Sequence, residues 1–70
     1  MFQIGQMVYT NREIRGWFDF SLKSAIPANS RGIIAGCITA SNDLDLVEYE
    51  VEFGSEFGRF HIYHKDLKLG

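Results

Sequence analysis

Two histidines and one cysteine are the side chains in this 70-residue chain with the widest chemical repertoire. His61 and His64 are three positions apart, and Cys37 is the single cysteine. A zinc site needs at least three protein ligands in a suitable geometry. On a strand, positions i and i+3 point to opposite faces. The spacing therefore predicts no metal site, with His61 as a paired surface histidine and His64 as a turn residue.

Cys37 lies within an apolar run, so we expect a buried and inert small side chain. The chain has no Cys-x-x-Cys motif, and no basic residue neighbours Cys37 in the sequence, so nothing favours a thiolate there. The glycines Gly32, Gly54 and Gly58 are typical of turns and bulges, and none precedes a helix, so no phosphate-binding loop is predicted. We therefore expect no catalytic residue and no cofactor.

An aromatic cluster is the strongest indication of a binding surface. Trp17, Phe18 and Phe20 lie within a long excursion between strands, residues 11–29. Connections of this length in small domains are often binding loops, and aromatic residues are enriched at interface cores. We predict a partner-binding surface of Trp17, Phe18 and Phe20 with Arg15. The alternative is that the aromatic side chains fold back over the core as a lid.

Composition limits the classes of partner. Seven basic and nine acidic residues give a net charge of −2, which disfavours nucleic acid because phosphate binding relies on lysine and arginine. No apolar stretch approaches the roughly 20 residues of a membrane span, and the start of the chain has no signal-peptide pattern. We expect one cytoplasmic domain over residues 1–70. Domains of this size are marginally stable, so self-association or a protein partner is expected.

Alternating apolar and polar residues predict an all-β fold of five short strands. They cover residues 5–10, 32–39, 46–53, 59–63 and 68–69, and residues 64–67 form a single helical turn. In the second strand, alternation places Ile34 and Ile38 on one face and Cys37 on the other, so either both faces are covered or the strand bends, as Gly36 in its middle suggests. The predicted core consists of the inward residues Val8, Ile34, Val51, Phe53, Phe60 and Ile62.

The third and fourth strands form a hairpin whose register the sequence leaves open. A four-residue loop, 54–57, places Glu52 opposite Arg59 and Glu50 opposite His61. A two-residue turn instead places Glu50 opposite Arg59. Both registers put the three glutamates of the third strand on the outer face beside one arginine and one histidine. We interpret this face as solvated and ion-paired rather than catalytic.

The whole pattern resembles an SH3-like barrel: five short strands, a glycine before the first, a long first loop and a strand-turn-strand close. The residues that carry the resemblance are Gly5-x-x-Val8, Gly32-x-Ile34, Tyr49-x-Val51-x-Phe53 and Asp66-Leu67. They are similar to the bacterial electron-transport accessory barrels, such as the small ferredoxin-thioredoxin reductase chain and the photosystem reaction-centre barrel subunit. That resemblance implies a docking module without an active site of its own.

The C-terminal hairpin is also similar to that of the type II, plasmid-borne dihydrofolate reductases. The matching residues are Tyr49-x-Val51-Glu52, Gly58 and His61-Ile62-Tyr63. Those enzymes are SH3-like homotetramers with the active site in a central pore. The resemblance implies, as the alternative function, a homotetrameric NADPH-dependent reductase with a site at His61, Ile62 and Tyr63.

This chain departs from the reductase pattern at three positions. His61 stands where those enzymes have the pore glutamine, Thr10 where they have the pore lysine, and Cys37 where they have a tryptophan. The resemblance therefore supports shared architecture more than shared activity. The sequence favours a non-catalytic interaction module or a self-associating protein.

Overall fold

The computed structural model describes residues 1–18, 22–55 and 57–70, and it describes side chains outside residues 16–24 and 56. Within those ranges the chain forms strands and two short 3₁₀ turns, and no described helix is long and apolar enough to cross a membrane. The strands are β1 (Met7–Thr10), β2 (Ile14–Phe18), β3 (Leu22–Ile26), β4 (Arg31–Thr39), β5 (Glu48–Glu52), β6 (Arg59–Tyr63) and β7 (Leu67–Leu69). The first 3₁₀ turn is Leu44–Leu46 and the second is His64–Asp66.

The strands form two antiparallel sheets. One has five strands in the order β6-β5-β4-β1-β7, and the other is the hairpin of β2 and β3. The predicted all-β class is confirmed. Among the described residues no strand pairing joins β6 to β7, so the five-stranded sheet keeps two edges and no closed barrel is found.

The long first loop predicted for residues 11–29 is wrong, because β2 and β3 lie there. Ile14 pairs with Ile26, and both side chains are buried in the core. Burial of two large aliphatic side chains stabilises the pairing, and pairing satisfies the backbone polar groups of the segment. Gly16 and the aromatic cluster interrupt the apolar alternation, so the two strands are not recognisable from the sequence pattern.

The hydrophobic core lies between the two sheets and confirms most of the predicted inward residues. Val8, Ile34, Val51, Phe60 and Ile62 are buried, whereas Phe53 is only partly buried and packs against the others. The core also contains residues that the prediction omitted: Ile14, Ile26, Val47, Tyr49 and Leu67. Most of these belong to the hairpin of β2 and β3 or lie beside a strand end.

Strand β4 does not keep one regular alternation. Its pairing with β5 shifts register between Ile34 and Gly36 and again between Cys37 and Thr39. Each irregularity changes which residues face the core. Ile38, which regular alternation places on the same face as Ile34, is 47% exposed. Cys37 pairs with the buried Tyr49 and is nevertheless exposed, so the prediction that Cys37 is buried is wrong.

The hairpin of β5 and β6 adopts the longer of the two predicted loops. Glu52 pairs with Arg59, and Glu50 pairs with His61. The backbone N–H of Gly58 donates to the carbonyl oxygen of Gly54 over 2.7 Å. The φ values are +101° for Gly54 and +74° for Gly58, a left-handed conformation that favours glycine. The glycines therefore fix the loop, and the loop fixes the register.

Candidate functional site

The outer face of the β5–β6 hairpin carries the predicted row of glutamates. The Nε of Arg59 donates to Oε1 of Glu52 over 2.8 Å, and its Nη1 lies 3.5 Å from Oε1 of Glu50. Glu48, Glu50 and Glu52 are half-buried, so they are more covered than a fully solvated face requires. The face is ion-paired, as predicted.

Arg59 and the backbone together stabilise the charged form of Glu52. The hydrogen bond from Arg59 and a second one from the N–H of Gly54 hold the pKa of the Glu52 carboxyl below its usual value. The same pairing raises the pKa of Arg59. The stabilising contribution of Glu52 is therefore present above the ordinary glutamate pKa of about 4.3 and is lost as the pH falls through the lowered value. Because the side chains of Arg59 and Glu52 are 58% and 38% exposed, solvent screens the pair and the contribution is small.

The residues of the alternative reductase site do not all reach the surface. His61 and Tyr63 are exposed, two positions apart on β6, whereas the side chain of Ile62 is 2% exposed and lies in the core. Thr10 is fully buried, and its hydroxyl donates to the carbonyl oxygen of Pro27 over 3.1 Å. Of the positions that the resemblance aligns with pore residues, His61 is exposed and Thr10 is structural.

The predicted partner-binding residues belong to the β2–β3 hairpin. Arg15 is exposed, pairs with Ala25, and places its Nε 3.3 Å from Oε1 of Glu13. The backbones of Trp17 and Phe18 form the end of β2. Their side chains, and the whole of Phe20, lie outside the described residues. The aromatic contact surface therefore stays a prediction.

A bidentate ion pair that the sequence did not reveal joins the two ends of the chain. The Nε and Nη2 of Arg12 donate to Oδ1 and Oδ2 of Asp66, each over 2.8 Å. The Asp66 side chain is 8% exposed and that of Arg12 is 59% exposed. The hydrogen bond to Asp66 raises the pKa of Arg12. The pair holds the segment before β2 against the second 3₁₀ turn, and parallel contacts of this kind are among the stronger ion pairs.

We expect the two halves of this pair to differ when each is removed. Arg12→Ala leaves a buried carboxylate without its main partner and should lower the free energy of unfolding by about 1–2 kcal/mol. Asp66→Asn retains an acceptor for Arg12, whose guanidinium is largely solvated, and should have the smaller effect. Urea denaturation of both variants measures the difference. Equal losses, or a larger loss for Asp66→Asn, would contradict the burial argument.

A second polar cluster fixes the N-terminal segment. Tyr49 is fully buried, and its hydroxyl accepts a hydrogen bond from the backbone N–H of Phe2 over 3.0 Å. The same hydroxyl lies 3.0 Å from Nδ1 of His64, whose ring stacks on Phe2 with 4.6 Å between the centroids. His64 lies in a turn, as predicted, and its side chain connects that turn to the core.

Within the described ranges, the buried polar side chains form hydrogen bonds inside the protein. No buried side-chain nitrogen or oxygen among them lacks a hydrogen-bond partner. No group of three or more His, Cys, Asp and Glu side chains in those ranges is placed to hold a metal ion.

In the comparisons with known proteins, no family model, no curated protein and no solved structure matches this chain. The resemblances drawn from the sequence rest on the residues quoted for them.

Proposed function

We propose that the chain is a non-catalytic module of SH3-like architecture that binds a protein partner or a second copy of itself. Strand order supports the architecture. Five strands form one antiparallel sheet, and the hairpin of β2 and β3 stands between β1 and β4, where the resemblance has its long first loop. The second 3₁₀ turn precedes β7, which returns to pair with β1.

The observation that carries the proposal is the contrast between satisfied polar groups and exposed apolar ones. The buried polar side chains of the described residues are engaged within the fold. Large apolar side chains in the same part of the chain are exposed: Met1, Ile4, Met7, Ile33, Ile38, Leu44, Leu46, Tyr63 and Leu69. A small domain without a disulfide gains stability when a partner covers such surface.

The proposed contact surface is the aromatic cluster of Trp17, Phe18 and Phe20, with Arg15 at its rim. Three large aromatic side chains follow each other within four positions. Trp17 pairs with Lys23 and Phe18 with Leu22, so two of the three aromatic residues lie in the last described pairs of β2 with β3. Aromatic residues supply contact area at little conformational cost, which is typical of binding surfaces.

The double substitution Trp17→Ser and Phe18→Ser tests this surface. We expect association to weaken by about tenfold or more, since buried aromatic residues dominate interface energies, while the circular dichroism spectrum stays that of a β protein. Sedimentation velocity over a concentration series measures association. The matched control carries the same change to serine at Leu44 and Leu46. These are exposed apolar residues of another region, the first 3₁₀ turn.

Two results would contradict the assignment of the aromatic surface. If the Trp17/Phe18 variant unfolds, the aromatic side chains belong to the core as a lid. If it stays folded and associates as the unmodified chain does, the interface lies elsewhere.

The alternative function is a homotetrameric reductase that uses NADPH to reduce a pteridine. It is favoured by the exposure of His61 and Tyr63 on one face of β6. Sedimentation equilibrium and NADPH oxidation with dihydrofolate decide it together. A monomer has no central pore and eliminates the reductase, whereas dihydrofolate-dependent NADPH oxidation would overturn the non-catalytic proposal.

A further inference from the structure

The outer face of the five-stranded sheet, called here the sheet face, has an apolar middle. Met7 of β1 pairs with Ile33 of β4, and Ile33 pairs in turn with Glu52 of β5. Directly paired residues lie on the same side of a sheet, so these side chains share the sheet face. Met7 is 43% exposed and Ile33 is 39% exposed. Two adjacent large apolar side chains therefore lie in contact with solvent near the centre of the sheet.

One end of the sheet face is basic. Tyr9 pairs with Arg31 on one side and with Lys68 on the other, which places all three on the same face as Met7. Arg31 and Lys68 are exposed, and the Lys68 ammonium donates to Oδ1 of Asn29 over 2.9 Å. This basic end carries two positive charges.

The opposite end of the sheet face is acidic. It consists of the three glutamates of β5 with Arg59 and His61 of β6. Arg59 compensates one of the three carboxylates, so the carboxylates and Arg59 together leave about two negative charges at the acidic end. The sheet face thus runs from a basic end, through Met7 and Ile33, to an acidic end of matching charge.

We propose that the sheet face is the interface of a symmetric dimer, and that its occupant is a second copy of this chain. A two-fold axis through the apolar middle places Ile33 against its counterpart and the basic end of each copy over the acidic end of the other. Both ends are then matched at once, which is the electrostatic complementarity that selects partners and fixes register. This inference rests on the proposed function, and it names the partner and a second surface besides the aromatic cluster.

The balance of the contacts sets the character of the dimer. Met7 and Ile33 in the middle of the face, with Tyr63 beside Glu48 at the acidic end, contribute little area compared with the about 800 Å² per partner of a standard interface. The charged ends therefore decide the pairing. Interactions between exposed charges are screened by salt, so the dimer should weaken as the ionic strength rises.

A charge exchange tests the arrangement. The first variant, Arg31→Glu with Lys68→Glu, makes both ends acidic. The second variant, Glu48→Lys with Glu50→Lys, makes both ends basic. Each variant alone juxtaposes like charges and should dimerise at least about tenfold more weakly than the unmodified chain. An equimolar mixture restores opposite charges at both ends and should form a one-to-one heterodimer by native mass spectrometry.

Several outcomes would overturn the inference. It fails if the unmodified chain remains monomeric at millimolar concentration or if the variants self-associate as strongly as the unmodified chain. It also fails if the folded variants do not form the heterodimer. Circular dichroism establishes that each variant is folded. If the basic variant does not fold, cross-linking replaces it: Ile33→Cys in a Cys37→Ser background should cross-link to its own copy. Leu46→Cys in the same background is the control and should not cross-link.

The same experiments separate this inference from the proposed function. Suppose that the unmodified chain dimerises, that the Trp17/Phe18 substitutions abolish the dimer, and that the charge substitutions leave it intact. The sheet-face inference then fails, while the proposed function stands. If the chain oxidises NADPH in a dihydrofolate-dependent reaction, the proposed function itself fails.

Discussion

Replacing Phe60 with alanine is expected to lower the free energy of unfolding by about 3–5 kcal/mol. The side chain is 2% exposed, pairs across the hairpin with Val51, and meets the ring of Phe53 edge-on with 5.9 Å between the centroids. Removing the ring forfeits its burial and leaves a cavity between the sheets. A 70-residue domain has a total stability of roughly 4–10 kcal/mol, so the loss is a large part of it.

Urea denaturation followed by tryptophan fluorescence measures this effect. The matched control is Tyr63→Ala on the same strand, whose side chain is 45% exposed and should contribute much less. A Phe60→Ala variant with an unchanged denaturation midpoint would show that the side chain does not fill the core.

Gly32→Ala is expected to be the second strongly destabilising change, by about 1–3 kcal/mol. A Cβ at this position would lie 2.6 Å from Cγ1 of Val51 and 2.8 Å from Cε1 of Phe53. Val51 is fully buried and β-branched, so it has little freedom to move away. The absence of a side chain at Gly32, which pairs with Val8 of β1, leaves the space that Val51 and Phe53 occupy.

Gly36→Ala in the same strand is the matched control for Gly32→Ala. The nearest atom to a Cβ at Gly36 is Oε1 of Glu50, 4.0 Å away, so the methyl group meets ordinary contact distances. Neither glycine has a positive φ, so backbone strain does not distinguish them. The control should change the stability by less than about 1 kcal/mol or increase it. If both variants lose the same stability, close packing at Gly32 is not the cause.

Local pattern alone predicted the C-terminal half of the fold well. The alternation in β5 and β6 predicted both strands and the inward positions of Val51, Phe60 and Ile62. Alternation succeeds there because one face of the hairpin packs on the core and the other meets solvent, and the side-chain period of a strand is two. The short turn at His64–Asp66 was also predicted from composition.

The same pattern failed where long-range contacts override it. Gly36 indicates an irregularity in β4, but nothing local to Cys37 or Ile38 reveals how the pairing with β5 shifts there. The hairpin of β2 and β3 likewise forms because Ile14 and Ile26 meet in a core built by other strands. Local propensity is a weak guide wherever burial against distant residues supplies most of the stabilisation.

The sequence by itself determined the all-β class, half of the buried core and the charged outer face of the last hairpin, because these follow from the alternation of side chains along single strands. Only the tertiary structure decided which distant residues meet. Arg12 reaches Asp66 over 54 positions, and Met7 lies beside Ile33, because strand order and register bring them together. The candidate dimer face depends on that register, since its basic and acidic ends come from strands that are far apart in the chain.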